Sequence, residues 1–82
     1  MSQVNDQTAR AILSENLQKI LLAKKWSVRK LARETEDPVM TVHNAVKGQS
    51  LPTAGVLYRI AEALDVAVDD LFVVAKKTTK SA

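Results

Sequence analysis

The chain has 82 residues, 46% hydrophobic and 26% charged, with a net charge of +3. That describes one small globular domain, too apolar for disorder and too short for a second fold. With no cysteine, two glycines, two prolines and three aromatic residues, it excludes disulfides, thiolate metal sites and cysteine nucleophiles, and argues against a β-sandwich or barrel with its closely spaced turns.

No apolar run nears the roughly 18 residues of a membrane span. The start, Met1-Ser2-Gln3-Val4-Asn5-Asp6, lacks the basic residues and apolar stretch of a secretory signal. In chain order, Leu13, Leu17, Ile20 and Leu21 fall at helical spacing, with Glu15, Gln18 and Lys19 between them. This first helix starts at a cap supplied by Thr8 or by Ser14 and runs out near Lys24-Lys25, where two cations suit the negative end of the helix dipole. Residues 1–12 are thus an N-terminal extension, partly helical or flexible. Trp26 plugs the corner into a short second helix, which Ser27 caps and Leu31 and Ala32 anchor.

Asp37-Pro38 is the clearest helix start. Asp accepts orphan backbone N–H groups, and Pro fits the first helical position. The third helix is therefore expected over Pro38 to about Lys47, with Val42, Ala45 and Val46 inward and Gly48 as its stop. Pro52-Thr53 opens a fourth, with Leu57, Ile60, Ala61 and Leu64 on one face and Asp65 at a left-handed end. A short fifth helix is expected within Val66–Val74, with Asp69 and Asp70 in its first turn. The expected fold is all-α, a compact five-helix domain over 13–74, followed by a flexible basic tail over 75–82.

Charge is polarised along the chain. Residues 10–33 carry seven bases against Glu15 alone, a net of +6, and the next four residues contribute −3. Residues 54–72 return −3 and the tail +3 through Lys76, Lys77 and Lys80. Such polarity suits a polyanion docking at one end, although basic residues also simply solvate helix faces.

The second and third helices, joined by a tight turn, form a helix-turn-helix arrangement. The ordered series Ser27-Val28-Arg29-Lys30-Leu31-Ala32, Thr41-Val42-His43-Asn44-Ala45-Val46-Lys47-Gly48, Pro52-Thr53, Leu57 to Val66 and Asp69-Asp70-Leu71-Phe72 resembles the lambda-repressor/Cro type of helix-turn-helix DNA-binding domain, the XRE-like family. The resemblance spans about Leu13 to Phe72. Three positions depart from the family's pattern: Glu36 stands where the turn usually has Gly, Asp37 where a small apolar residue is common, and Val46 where a Glu is common. A left-handed Glu is strained, so the turn is expected to be remodelled by Pro38.

By this resemblance, the base-reading positions fall on Val39, Met40, His43 and Asn44, with Val28 at the start of helix two beside them. Asn44 offers a bidentate pair to adenine, Val39 and Met40 offer apolar contact to thymine methyls, and His43 offers a donor. The single histidine has no companion ligands for a metal site. Phosphate-contacting positions fall on Ser27, Thr41, Lys47, Gln49, Ser50 and Thr53, with Arg29, Lys30 and Arg33 as weaker candidates. The apolar run Leu71 to Val74 supplies a dimer patch through Phe72, Val73 and Val74, Leu71 being taken into the monomer core.

The resemblance implies a cytoplasmic homodimer, in a bacterium or a phage-infected cell, that binds a two-fold symmetric double-stranded operator as a repressor of phage, prophage or mobile-element type. It implies no cofactor, small-molecule ligand, membrane or catalysis. The length fits a complete small regulator and equally the N-terminal reading domain of a longer repressor. The rival reading is a protein-interaction module or antitoxin that docks a partner through the Val39–Met40 face, since that helix carries neither Arg nor Gln. For an enzyme the sequence offers no phosphate loop, triad or metal cluster.

Overall fold

The computed structural model describes residues 5–74; Met1 to Val4 and the basic tail over 75–82 lie outside the described residues. Four α-helices and one short 3-10 helix account for most of it: α1 (Asp6–Lys24), α2 (Val28–Thr35), α3 (Val39–Lys47), α4 (Ala54–Leu64) and the 3-10 helix (Val68–Phe72). The expected fifth α-helix is thus a 3-10 helix. Its five residues leave too little length for a run of i→i−4 bonds, and its start is closed by the Asp70 carboxylate accepting from the Ala67 N–H at 3.0 Å.

The core gathers apolar positions from every element. Leu13, Leu17, Leu31, Val42, Ile60, Leu64 and Leu71 are almost completely enclosed, and Trp26, Val28, Leu57 and Phe72 pack partly against them. α1 lies against α3 and the 3-10 helix, while α2 lies against α3 and α4. Trp26 fills the α1–α2 corner as expected, with the Lys30 ammonium 4.8 Å from its ring centre.

The N-cap of α1 is neither Thr8 nor Ser14 but Asn5, whose side chain accepts from the Thr8 N–H at 2.9 Å. Residues 6–12 therefore continue the same helix as 13–24. Ser14 is drawn inward, and its hydroxyl donates to the Val46 carbonyl at 2.6 Å. Ser27 caps α2 as the sequence implies, and at the expected Pro52-Thr53 opening of α4 the cap is Thr53.

All four α-helices end alike. Lys25, Glu36, Gly48 and Asp65 have φ between 61° and 75°, and the N–H of the following residue reaches back five positions: Trp26 to Leu21, Asp37 to Ala32, Gln49 to Asn44 and Val66 to Ala61, at 2.8–3.1 Å. These are Schellman closures, which normally favour glycine. The expected remodelling of the turn at Pro38 does not occur: Glu36 adopts the left-handed conformation at φ 61°.

Gly48 has a second reason to be glycine. A Cβ placed there would stand 3.2 Å from the Ser14 Cβ on α1. Gly48→Ala is expected to cost about 1–2 kcal/mol for the left-handed backbone alone, more if α1 cannot yield. Urea unfolding of the two proteins checks it through the midpoint.

Candidate nucleic-acid interface

α3 is nine residues long, too short to persist alone, so its neighbours decide where it points. Its inward face is Val42, Ala45 and Val46, all buried. At 100° per residue, Val39, Met40, His43, Asn44 and Lys47 share an arc of about 140° on the other side. Val39 is 42% and Met40 64% exposed, while His43 and Asn44 are half-buried and Lys47 is exposed. The Nδ1 of His43 is covered and has no hydrogen-bond partner among the described residues. Four of the five base-reading candidates therefore share one helix face. The fifth, Val28, is half-buried and packs partly against the core.

The start of α3 differs from its sequence reading. Pro38 is the N-cap, with φ −59° and ψ 140°, and the first helical residue is Val39; no side chain caps the helix. Asp37 is committed elsewhere. Its carboxylate takes a two-pronged hydrogen bond from Arg59 on α4, Nη2 to Oδ1 at 2.6 Å and Nε to Oδ2 at 3.1 Å. The Asp37 side chain is 7% exposed and that of Arg59 47%. This fork ties the turn before α3 to α4. Sequence reasoning missed it, because nothing local links positions 22 residues apart.

The far end of α3 is also tied. The Val46 carbonyl, an orphan of the last turn, accepts from the Ser14 hydroxyl at 2.6 Å and from the Gln18 amide at 2.9 Å, both on α1. Two α1 side chains thus hold the backbone at the end of α3.

Among the phosphate candidates, Gln49, Ser50 and Thr53 follow α3 on an exposed stretch, and Ser27 sits exposed at the start of α2. The Ser27 and Thr53 hydroxyls accept from the N–H groups of Lys30 at 3.0 Å and Val56 at 3.3 Å, which leaves each O–H proton free to donate to an anion. Thr41 is half-buried. Lys30 pairs with Glu34 at 3.6 Å.

At the C-terminal patch, Leu71 is fully buried, Phe72 is half-buried against the core, and Val73 and Val74 are 55% and 56% exposed. The Asn16 side-chain amide shares its two protons among the carbonyls of Ile12, Leu71 and Val73 at 2.9–3.0 Å. It fixes the backbone that carries the two valines.

Among the described residues, no helix is long and apolar enough to cross a membrane, and no group of three or more His, Cys, Asp or Glu side chains is arranged to hold a metal ion.

The Arg59 hydrogen bonds hold the Asp37 carboxyl below its ordinary value of 3.8, against the opposing effect of burial. A carboxyl with a lowered folded pKa contributes stability above its unfolded pKa and loses it as pH falls through the folded one. The stability advantage of the native protein over Asp37→Asn should therefore be constant above about pH 5 and shrink below pH 4. Thermal unfolding of both proteins from pH 2.5 to 7 reads this directly; an advantage that does not change with pH would exclude an ionised pair.

The geometry agrees with the comparisons. A family model described as a Cro/C1-type HTH DNA-binding domain matches residues 16–77. The chain is similar in structure to a hypothetical transcription factor from Neisseria, with a TM-score of 0.75 and 24% identity over 89% of this chain and 85% of that one. No curated protein sequence matches it.

Proposed function

Since this chain belongs to the Cro/C1-type helix-turn-helix DNA-binding family, we propose that it regulates transcription by binding a specific double-stranded operator, with α3 in the major groove. The observation that carries this reading is the exposed Val39–Met40 pair, beside His43, Asn44 and Lys47, on a helix that the rest of the domain holds at both ends. Exposed apolar side chains next to groove-reading polar ones suit thymine methyls flanked by an adenine or guanine edge. The similar Neisseria protein, described as a hypothetical transcription factor, supports the regulatory role.

In this reading Asn44 makes the bidentate adenine contact and His43 donates through its second ring nitrogen, with Val28 at the edge of the read sequence. Ser27, Thr41, Lys47, Gln49, Ser50 and Thr53 hold the backbone, aided by the free N–H groups at the start of α2. The protein acts as a repressor of phage or mobile-element type. Two copies pair through Val73 and Val74, with the outer edge of Phe72, and read half-sites about 34 Å apart. As a unit of function, residues 13–74 carry the helix-turn-helix domain, residues 6–12 lengthen its first helix, and residues 75–82 are a basic tail.

Selection from a random duplex pool at near-physiological salt tests the reading as a whole. The expected product is a two-fold symmetric motif; no enrichment would move the assignment to protein docking through the Val39–Met40 face. Two substitutions separate the roles within α3. Asn44→Ala should cost about 1–3 kcal/mol of discrimination at one base pair of each half-site and leave random duplex unaffected. Lys47→Gln should weaken all duplexes alike and lower the salt slope by about one. Equal losses on specific and random duplex for Asn44→Ala would remove it from base reading. For the dimer, Val73→Asp should shift sedimentation toward the monomer and weaken the symmetric site more than an isolated half-site.

A further inference from the structure

One cation of the basic N-terminal half lacks the partner that its surroundings call for. Arg10, Ser14 and Gln18 follow one another at i, i+4 and i+8 along the α1 face that meets the end of α3. Ser14 and Gln18 both donate to the Val46 carbonyl. Arg10 is the next position outward, and its own carbonyl lies 3.6 Å from where a Gly48 Cβ would stand. It therefore sits beside the bend at which the chain leaves α3 for Gln49, Ser50 and Thr53.

The Nε of Arg10 is buried with no hydrogen-bond partner, and the side chain makes no ion pair among the described residues. Asp6, one turn earlier on α1, does not supply one. Lys19 and Lys30, by contrast, each have a carboxylate one turn away, at 3.7 and 3.6 Å. A covered N–H without an acceptor is costly and rare. A guanidinium whose inner nitrogen is covered presents a rigid fork, which suits a tetrahedral oxyanion better than it suits solvent.

We infer that Arg10 is a DNA-backbone contact. Its fork takes a phosphate that the Gly48–Thr53 segment borders from the other side, so that α1 extends the footprint beyond the helix-turn-helix. Arg10 lies outside the family-matched residues 16–77, so this contact belongs to this chain's own N-terminal helical turns. The inference rests on the DNA-binding reading proposed above and adds a phosphate to it. A backbone contact adds affinity and salt dependence but no base preference.

The test is a salt titration of the full chain with a fluorescent duplex carrying the selected motif and with a random duplex. Each phosphate contact contributes about 0.9 to the slope of log affinity against log salt, so the advantage of the native protein over Arg10→Gln should fall about 3.5-fold between 50 and 200 mM salt. The loss should be alike on both duplexes, and Arg10→Lys should keep the slope while recovering part of the affinity. Circular dichroism controls for folding. Should Arg10→Gln unfold, the Arg10 guanidinium Nη–H resonances of the native protein give the answer directly, because they should shift and slow in solvent exchange when duplex is added. An unchanged slope in folded Arg10→Gln, or unmoved resonances in saturated native complex, overturns the inference while leaving the DNA reading intact. Native protein that binds neither duplex overturns both.

Discussion

The orientation of α3 is the constraint on which the rest of the molecule depends. Nine residues make about two and a half turns, and an isolated helix of that length does not persist in water. Three unrelated devices hold it instead. Val42, Ala45 and Val46 bury its inner face. The Asp37–Arg59 fork ties its entry to α4, and the Ser14 and Gln18 side chains tie its exit to α1. Each tie joins α3 to a different helix, so a displacement that satisfies one strains the other. A helix fixed at both ends and along one face has one remaining surface to offer, and that surface carries Val39, Met40, His43, Asn44 and Lys47.

The turn into α3 illustrates how a local cost is offset by distant contacts. Glu36 is held left-handed, as are Lys25 and Asp65, at roughly 1–2 kcal/mol for each non-glycine residue. The Schellman bonds from the following residues recover orphan carbonyls at each site. At Glu36 the next residue also supplies Asp37 to Arg59, an interaction that a small apolar residue could not make. The same pairing leaves α3 with no side-chain cap. Its first N–H groups therefore have no side-chain competitor, which suits the proposed approach of α3 to an anionic duplex.

The helices were legible in the sequence because their apolar spacing is regular: Leu13, Leu17 and Leu21 on α1, Ile60, Ala61 and Leu64 on α4. The Ser27 cap and the opening of α4 at Pro52-Thr53 were legible too, since a helix start is decided within three residues. What escaped the sequence lies in contacts between residues far apart. Ser14 reads as a cap but bonds to a carbonyl 32 residues away, and Asp37 reads as a cap but pairs 22 residues away. Glu36 reads as strained in isolation and is left-handed all the same, in a turn closed by the Asp37 N–H to the Ala32 carbonyl. The candidate site followed the same division. Val39, Met40, His43 and Asn44 share a face because helical periodicity alone puts them there. Val28 sits at a helix start, where packing decides the direction of a side chain and pattern does not.

The proposed pairing of two copies follows from how little one copy can read. Of the four residues on α3 proposed to read bases, only His43 and Asn44 could bring hydrogen bonds, and a good bidentate contact discriminates by about 1–3 kcal/mol. In the proposed reading Val39 and Met40 would meet methyl groups, which adds selectivity without directionality. One domain therefore separates its site from random duplex by a modest margin. Two rigidly joined copies add their margins, and so multiply the preference, only if the joint does not flex. Asn16 bears on that requirement. By holding the Leu71 and Val73 carbonyls against α1, it fixes the backbone that presents the exposed Val73 and Val74. A joint built on that segment inherits the orientation of α1, and α1 in turn fixes the exit of α3 through Ser14 and Gln18. The distance between two reading helices would then be set through one continuous path of packed and hydrogen-bonded groups, from the dimer contact to the groove.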